Sequence, residues 1–147
     1  MRALLDSSVL IAAYISRAGV CAELLEDVFM DHELVISEFI LDELARKLEE
    51  KFGFPETEIA EIRESIASSA EVVVPIEVPA TSCRDPNDLP ILGTAIAGLA
   101  DVLITVDKDL LALGAHGGIP IVKPGEFWKR ADQKHKSPPA APQTGKS

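Results

Sequence analysis

Cysteine and histidine are scarce in this chain. Two cysteines, Cys21 and Cys83, stand far apart in 147 residues and form no CxxC pair. That argues against a disulfide framework or a cysteine zinc site, and both read as reduced, partly buried thiols. The three histidines, His32, His116 and His135, have no metal-ligand spacing with each other or with the cysteines. A zinc enzyme and a Cys/His hydrolase are therefore both poorly supported. Positive charge is in the minority too: 14 Lys and Arg against 24 Asp and Glu, a net charge of −10. A general nucleic-acid binder draws its affinity from Lys and Arg on phosphates, so this balance disfavours one. The acidic excess either solvates the surface or builds a cation site, and composition does not choose between them. Long apolar runs are missing, and none approaches the roughly 20 residues of a membrane span. The opening MRALLDSSVLIAAYI is interrupted by Asp6, Ser7 and Ser8 and is followed by no small-residue cleavage site. The expected location is the cytoplasm, with no membrane attachment. There is no internal repeat.

What is present is an ordinary globular balance, 47% hydrophobic and 26% charged, in a chain long enough for one sizeable core. Short apolar runs alternate with helical periodicity. Ala3 to Leu5 reads as a buried strand ending at Asp6, with Ser7 or Ser8 capping a helix to about Ile15. A second helix begins at Gly19. Leu34 to Ile36 is the second strand, and Ser37 caps a helix from Phe39 to Lys51 with Ile40, Leu41, Leu44 and Leu48 on one face. Pro55 starts a further helix carrying Ile59, Ile62 and Ile66. Glu71 to Val78 is β-branched and reads as the third strand. Asp88 is a plausible N-cap, with Pro90 just inside its helix. Val102 to Val106 is the fourth strand, Leu110 to Leu113 a short helix, Ile119 to Val122 the fifth strand and Gly125 to Arg130 a last helical turn. The folded domain is expected over 1–131. The stretch 132–147 is polar and Pro-rich and is expected to be a disordered tail. Strands alternating with helices predict an α/β protein with a parallel sheet covered on both faces. In such sheets ligands bind beyond the C-terminal strand ends.

Aspartates collect at those ends. Asp6 ends the first strand, Asp107 ends the fourth, and Asp88 opens the helix before the fourth. If the first and fourth strands are neighbours, Asp6 and Asp107 meet at one rim within reach of Asp88. Clustered like charges persist only with raised pKa or with bound metal. Oxygen-only donors favour Mg²⁺ or Mn²⁺, ions that hold a phosphate oxygen and activate water for phosphoester hydrolysis. Each position also has a plain structural reading as a helix cap. Asp42 and Glu43 flank the apolar stripe of their helix equally, so spacing does not say which faces the rim. Ser7 and Thr105 place hydroxyls beside the rim aspartates, where they can orient a carboxylate. Lys108 can meet a substrate phosphate or form an exposed ion pair. Arg17, Arg46, Lys47 and Lys51 can line a phosphodiester path or form a wet helix face. Asp85 and Asp101 read as scaffold or surface.

The series LLDSSVL, ISEFILDEL and RDPNDLPILGTAIAGLADVLITVDKDLL resembles the PIN-domain family, most closely prokaryotic PIN proteins that serve as toxins of toxin–antitoxin pairs. The resemblance spans about residues 1 to 130. It implies a three-layer α/β/α sandwich around a parallel sheet of about five strands in the order 3-2-1-4-5, which makes strands one and four neighbours. It also implies an Mg²⁺- or Mn²⁺-dependent endoribonuclease. Its acid quartet falls on Asp6, Glu43, Asp88 and Asp107, all four as catalytic residues and metal ligands. Asp109 matches a frequent further acid, and Ser7 and Thr105 match the family's hydroxyl positions. The implied reaction is hydrolysis of an RNA phosphodiester by metal-activated water, with a 3′-hydroxyl leaving. The implied partners are an RNA substrate, a cognate antitoxin protein and a second copy of the chain. Gly93, Ala97 and Gly98 suit either close helix packing in such a dimer or packing on the sheet. Two departures stand out: Val106 replaces a glycine common before the fourth acid, and Ser8 stands where Asn or another small polar residue is common.

Three other readings compete. One is a PIN-fold protein of RNA processing. Another is a non-catalytic regulatory or binding module, against which the intact quartet argues. The third is a phosphoryl-transfer receiver, which requires an acidic pair after the first strand, and Asp6 is followed by serines instead.

Overall fold

The computed structural model describes residues 1–136, with side chains through residue 131. Six strands form one sheet: β1 (Arg2–Leu5), β2 (Glu33–Ile36), β3 (Ala70–Val72), β4 (Val102–Ile104), β5 (Ala115–His116) and β6 (Ile119–Val122). Their order is β3-β2-β1-β4-β6-β5, parallel throughout except for the antiparallel β5–β6 pair. Among the described residues seven α-helices accompany them: α1 (Ser7–Ile15), α2 (Val20–Asp31), α3 (Glu38–Phe52), α4 (Glu56–Ser68), α5 (Leu89–Ala97), α6 (Lys108–Leu113) and α7 (Pro124–Lys136), the last following β6. The expected α/β architecture and order are present, with β6 as the fifth parallel strand. The extra strand β5 pairs with β6 across Gly117 and Gly118, whose φ values of 57° and 81° suit a tight hairpin. That Gly-Gly pair is a hairpin signal readable in the sequence.

Ala3–Leu5, Leu34–Ile36 and Val102–Ile104 are buried without a break. Successive strand side chains point to opposite faces, so unbroken burial means that both faces of the sheet are covered. α1 is apolar nearly all round because it packs against both α2 and α3. α7 is secured by the fully buried Phe127, whose ring meets His32 edge-on, and by Trp128 Nε1, which donates to Asp27 at 2.7 Å. At the N-terminal edge of the sheet, Arg2 ties neighbouring strands together. Its guanidinium holds Glu33 at 2.6 Å and Glu71 at 2.5 Å, and its backbone N–H donates to Asp101 at 2.7 Å. Asp101 is thus scaffold, at the opposite rim from Asp6.

Several expectations shift. The cap of α1 is Asp6 rather than Ser7 or Ser8. Ser37 precedes α3 but makes no side-chain cap bond, and its buried hydroxyl accepts from Thr94 of α5 at 2.8 Å instead. β3 stops at Val72, not Val78. Its partner β2 ends at Ile36, just before Ser37 and α3, so residues beyond Val73 have no strand to pair with. They run on against α5, where Ile76 N–H donates to Gly93 C=O at 3.2 Å. A Cβ on Gly93 would lie 2.2 Å from Ile76 O, and one on Gly98 would lie 2.2 Å from Val35 Cγ1. These glycines serve close packing within the chain. α7 continues past Arg130 to Lys136, so helix occupies the start of the stretch expected as a tail, and the remainder of that stretch, 137–147, lies outside the described residues. Among the described residues, no single helix is long and apolar enough to cross a membrane.

Candidate functional site: a carboxylate rim on the sheet

The register of β1 against β4 builds the site. Leu5 pairs with Ile104, so the two strands end level. Asp6 N–H donates to Ile104 C=O at 3.2 Å, and Thr105 N–H donates to Val122 C=O at 3.0 Å. The first residues past each strand, Asp6 and Thr105, therefore lie side by side. Both are buried.

Asp6 is held through both oxygens. Oδ1 accepts from Ser8 N–H at 3.1 Å, Val9 N–H at 3.3 Å and the Ser8 hydroxyl at 2.5 Å. Oδ2 accepts from the Thr105 hydroxyl at 2.6 Å. Burial pushes the Asp6 carboxyl up, and the hydroxyls of Ser8 and Thr105 and the two helix N–H groups pull it down. Asp6 thus caps α1 with one oxygen while the other stays bound to a single donor.

Thr105 links this residue to the next acid. Its Oγ accepts from Asp107 N–H at 2.9 Å while donating to Asp6. Asp107 caps α6, with Oδ2 accepting from Leu110 N–H at 3.1 Å. Its exposed neighbours Lys108 and Asp109 flank the rim, and Lys108 forms no ion pair with the described residues.

Glu43 reaches the same neighbourhood from α3. Its Oε1 accepts from the Ser7 hydroxyl at 2.6 Å, and Lys47 Nζ lies 3.9 Å from its other oxygen. Asp42 faces away and pairs with Arg63 of α4 at 2.7 Å. Of the two acids that helical spacing left equivalent, Glu43 is therefore the one that bonds the residue next to Asp6.

Asp88 differs from the others. It precedes α5 yet makes no cap hydrogen bond. The capping of this segment falls to Asp85, whose Oδ1 accepts from Asn87 N–H at 3.0 Å. Asp88 is 8% exposed, and its Oδ2 is buried with no hydrogen-bond partner. Burial, joined by the charges of Asp107, Asp85, Asp6 and Asp109, pushes its carboxyl up to about 7. Asp107 is the largest of those charge contributors. A buried carboxylate oxygen without a donor is costly, and it is the feature here that asks for a cation or a proton.

The donor set is all oxygen, as a hard divalent cation requires. Among the described residues, no group of three or more Asp, Glu, His or Cys side chains is placed so that it could hold one metal ion as it stands. Asp6, Glu43 and Asp107 are each tethered by their own donors, and Asp88 is not. Cys83 lies near enough for Asp88, Asp85 and Asp109 to raise its pKa, although burial is the larger cause, and its Sγ donates to Asp85 C=O at 3.2 Å. Both cysteines are free. Of the basic residues, Arg46 pairs with Glu50 at 3.5 Å, and Arg17 lies over the Tyr14 ring. Val106 is 48% exposed at the rim. In the sequence Ser8 stands out as a candidate cap and as a family position commonly held by Asn or another small polar residue. Its proximity to Asp6 was visible, but its bond across to the β4–α6 turn depends on strand register.

Parallel strands that end level, with acids at their C-terminal ends, define an α/β protein carrying a carboxylate rim. The PIN domain family matches residues 2–109, and the chain belongs to that family. No curated protein matches it in sequence. Among solved structures it is similar to VapBC2 from Rickettsia felis bound to a DNA fragment from their promoter, at 18% identity and a TM-score of 0.58, covering 84% of this chain and 98% of that one. It is also similar to VapBC-1 from nontypeable Haemophilus influenzae, at 19% identity and a TM-score of 0.57, with 85% and 99% covered. DNA-bound VapBC from Salmonella typhimurium is similar at 17% identity and a TM-score of 0.56, with 84% and 98% covered. At these identities the likeness is one of fold.

Proposed function

We propose that this protein is a metal-dependent endoribonuclease that hydrolyses RNA phosphodiester bonds, acting in the cytoplasm as the toxin of a toxin–antitoxin pair. The observation that carries the reading is Asp88. Its buried, unpartnered oxygen and a pKa near 7 arise beside Asp107 and Asp6, and a divalent cation relieves both conditions at once. Asp6, Glu43, Asp88 and Asp107 would hold it, as Mg²⁺ or Mn²⁺. Bound there, the cation supplies charge neutralisation for the phosphate and lowers the pKa of water. The chain's own residues do the positioning. Ser7 fixes Glu43, Thr105 couples Asp6 to the backbone of Asp107, and Asp109 adds negative charge at the lip. Lys108, exposed and beside Asp107, would meet a substrate phosphate. Membership of the PIN family supports a nuclease, and the fold neighbours seen in VapBC complexes support an antitoxin partner. A homodimer fits the same reading, but Gly93 and Gly98 are already used inside the chain and do not supply its interface.

The test is RNA cleavage with Mn²⁺ or Mg²⁺ by the wild type, Asp6→Asn and Asp107→Asn. The expected outcome is metal-dependent cleavage by the wild type and a loss of at least roughly tenfold in each variant, about 1.4 kcal/mol of barrier. Equal cleavage by all three sinks the assignment. Growth arrest on expression, relieved by the product of an adjacent small gene, tests the toxin role.

A further inference from the structure

Two consecutive N–H groups in the turn between β4 and α6 each reach Asp6 through a hydroxyl. Asp107 N–H donates to Thr105 Oγ, which donates to Asp6 Oδ2, at 2.9 and 2.6 Å. Val106 N–H donates to Ser8 Oγ, which donates to Asp6 Oδ1, at 3.3 and 2.5 Å. The two hydroxyls lie 3.5 Å apart. Ser8 therefore mirrors Thr105 from the other strand end.

Resting on the ribonuclease reading, we propose that Ser8 is a positioning residue for the divalent cation. Its hydroxyl fixes the angle of the Asp6 carboxylate and locks Asp6 to the turn that carries Asp107. The lone-pair count supports this role. A carboxylate oxygen has two acceptor sites. Oδ1 takes the Ser8 hydroxyl and two helix N–H groups and is saturated, whereas Oδ2 takes only Thr105. Asp6 is thus left with its free lone pair on Oδ2, the oxygen tied to the Asp107 side. The same bond holds the peptide of Val106. Val106 is not among the described residues with positive φ, so the valine occupies this turn without needing a glycine's conformational freedom.

Ser8→Ala isolates the hydroxyl, because the backbone N–H of residue 8 still donates to Asp6 Oδ1 and the cap of α1 is kept. Metal affinity is read by calorimetric titration with Mn²⁺ alone, and cleavage of RNA is measured separately as KM and kcat. Ser8→Ala is expected to bind Mn²⁺ roughly tenfold more weakly, within the range seen when a ligand's orienting partner is removed. KM for RNA should stay unchanged while kcat falls. Ser8→Thr, which keeps the donor, should restore most of the affinity. A pure helix-cap role would move the melting temperature and leave Mn²⁺ affinity alone. If Ser8→Ala does not fold, Ser8→Cys, with a weaker donor of similar shape, carries the comparison. Mn²⁺ affinity in Ser8→Ala within twofold of wild type overturns the inference, as does equal weakness of Ser8→Ala and Ser8→Thr. Wild type that takes up Mn²⁺ but leaves RNA intact removes the ribonuclease reading alone. Wild type that cleaves RNA while Ser8→Ala keeps full affinity removes the Ser8 inference alone. Wild type that takes up no Mn²⁺ removes both.

Discussion

Replacing Asp88 with Asn should stabilise the metal-free protein, and only above acidic pH. The carboxyl goes from an ordinary value of 3.8 to about 7 on folding. A raised acid binds its proton more tightly when folded, so the unfolded state ionises first as pH rises. Stability is greatest below about pH 4, declines between about pH 4 and 7, and levels off above that. The full cost at pH 8 is on the order of 2–4 kcal/mol, the lower figure allowing for screening at an open rim. Asp88→Asn carries no charge to desolvate, although its amide still has polar atoms to satisfy. In EDTA at pH 8 it should melt roughly 5–10 °C above wild type, using about 2–4 °C per kcal/mol for a chain of this size. At pH 4 the gap should close. Added Mn²⁺ should raise the wild type and leave Asp88→Asn nearly unmoved, because only the wild type gains from binding. Paired thermal melts at pH 4 and pH 8, with and without Mn²⁺, measure all of this. An Asp88→Asn protein no more stable than wild type at pH 8 in EDTA, or a gap that persists at pH 4, refutes the electrostatic account of the rim.

Two further predictions concern the scaffold. Leu99 has φ 51° and is 76% exposed, so it bears left-handed strain and loses little packing when removed. Leu99→Gly should gain about 0.5–1 kcal/mol in urea denaturation, the relief of strain less the extra freedom of the unfolded chain. Gly93→Ala should lose about 2–3 kcal/mol, because the new Cβ meets Ile76 O. The control is Gly125→Ala, where no atom lies within 4 Å of the added Cβ. If both alanines prove equally tolerated, the close approach at Gly93 is wrong.

The strands that carry the site were legible because they are short apolar runs bounded by polar residues. Leu4, Val35 and Leu103 sit where such runs put them, in register at the centre of the sheet. β3 was overread at its C-terminal end. Val74 and Ile76 have the side chains of a strand, but β-propensity reports fitness for a pleated surface and not the presence of a partner. β5 was missed because two residues carry no periodicity, even though the Gly-Gly pair marks its turn. The extent of α7 was underread because its outer residues are polar and its anchors, Phe127 and Trp128, lie in its first half.

At the rim, the sequence by itself determined which residue types stand at the ends of elements. Asp6, Asp88 and Asp107 are placed by the local punctuation of strand and helix, which acts over a few residues. Tertiary structure decided how they differ. Asp6 and Asp107 became helix-capping carboxylates, whereas Asp88 kept a buried Oδ2 without a donor, although all three look alike as helix-start acids. Asp42 and Glu43 were equivalent by helical spacing until Arg63 took one and Ser7 the other. The adjacent serines divided in the same way, Ser7 turning to Glu43 and Ser8 to Asp6 and the β4–α6 turn. Burial and hydrogen-bond partnership at such positions depend on what other segments bring alongside. For Asp6, Ser8 and Thr105 they are fixed by the pairing of β1 with β4 across nearly a hundred residues of chain, a separation over which local sequence carries no signal.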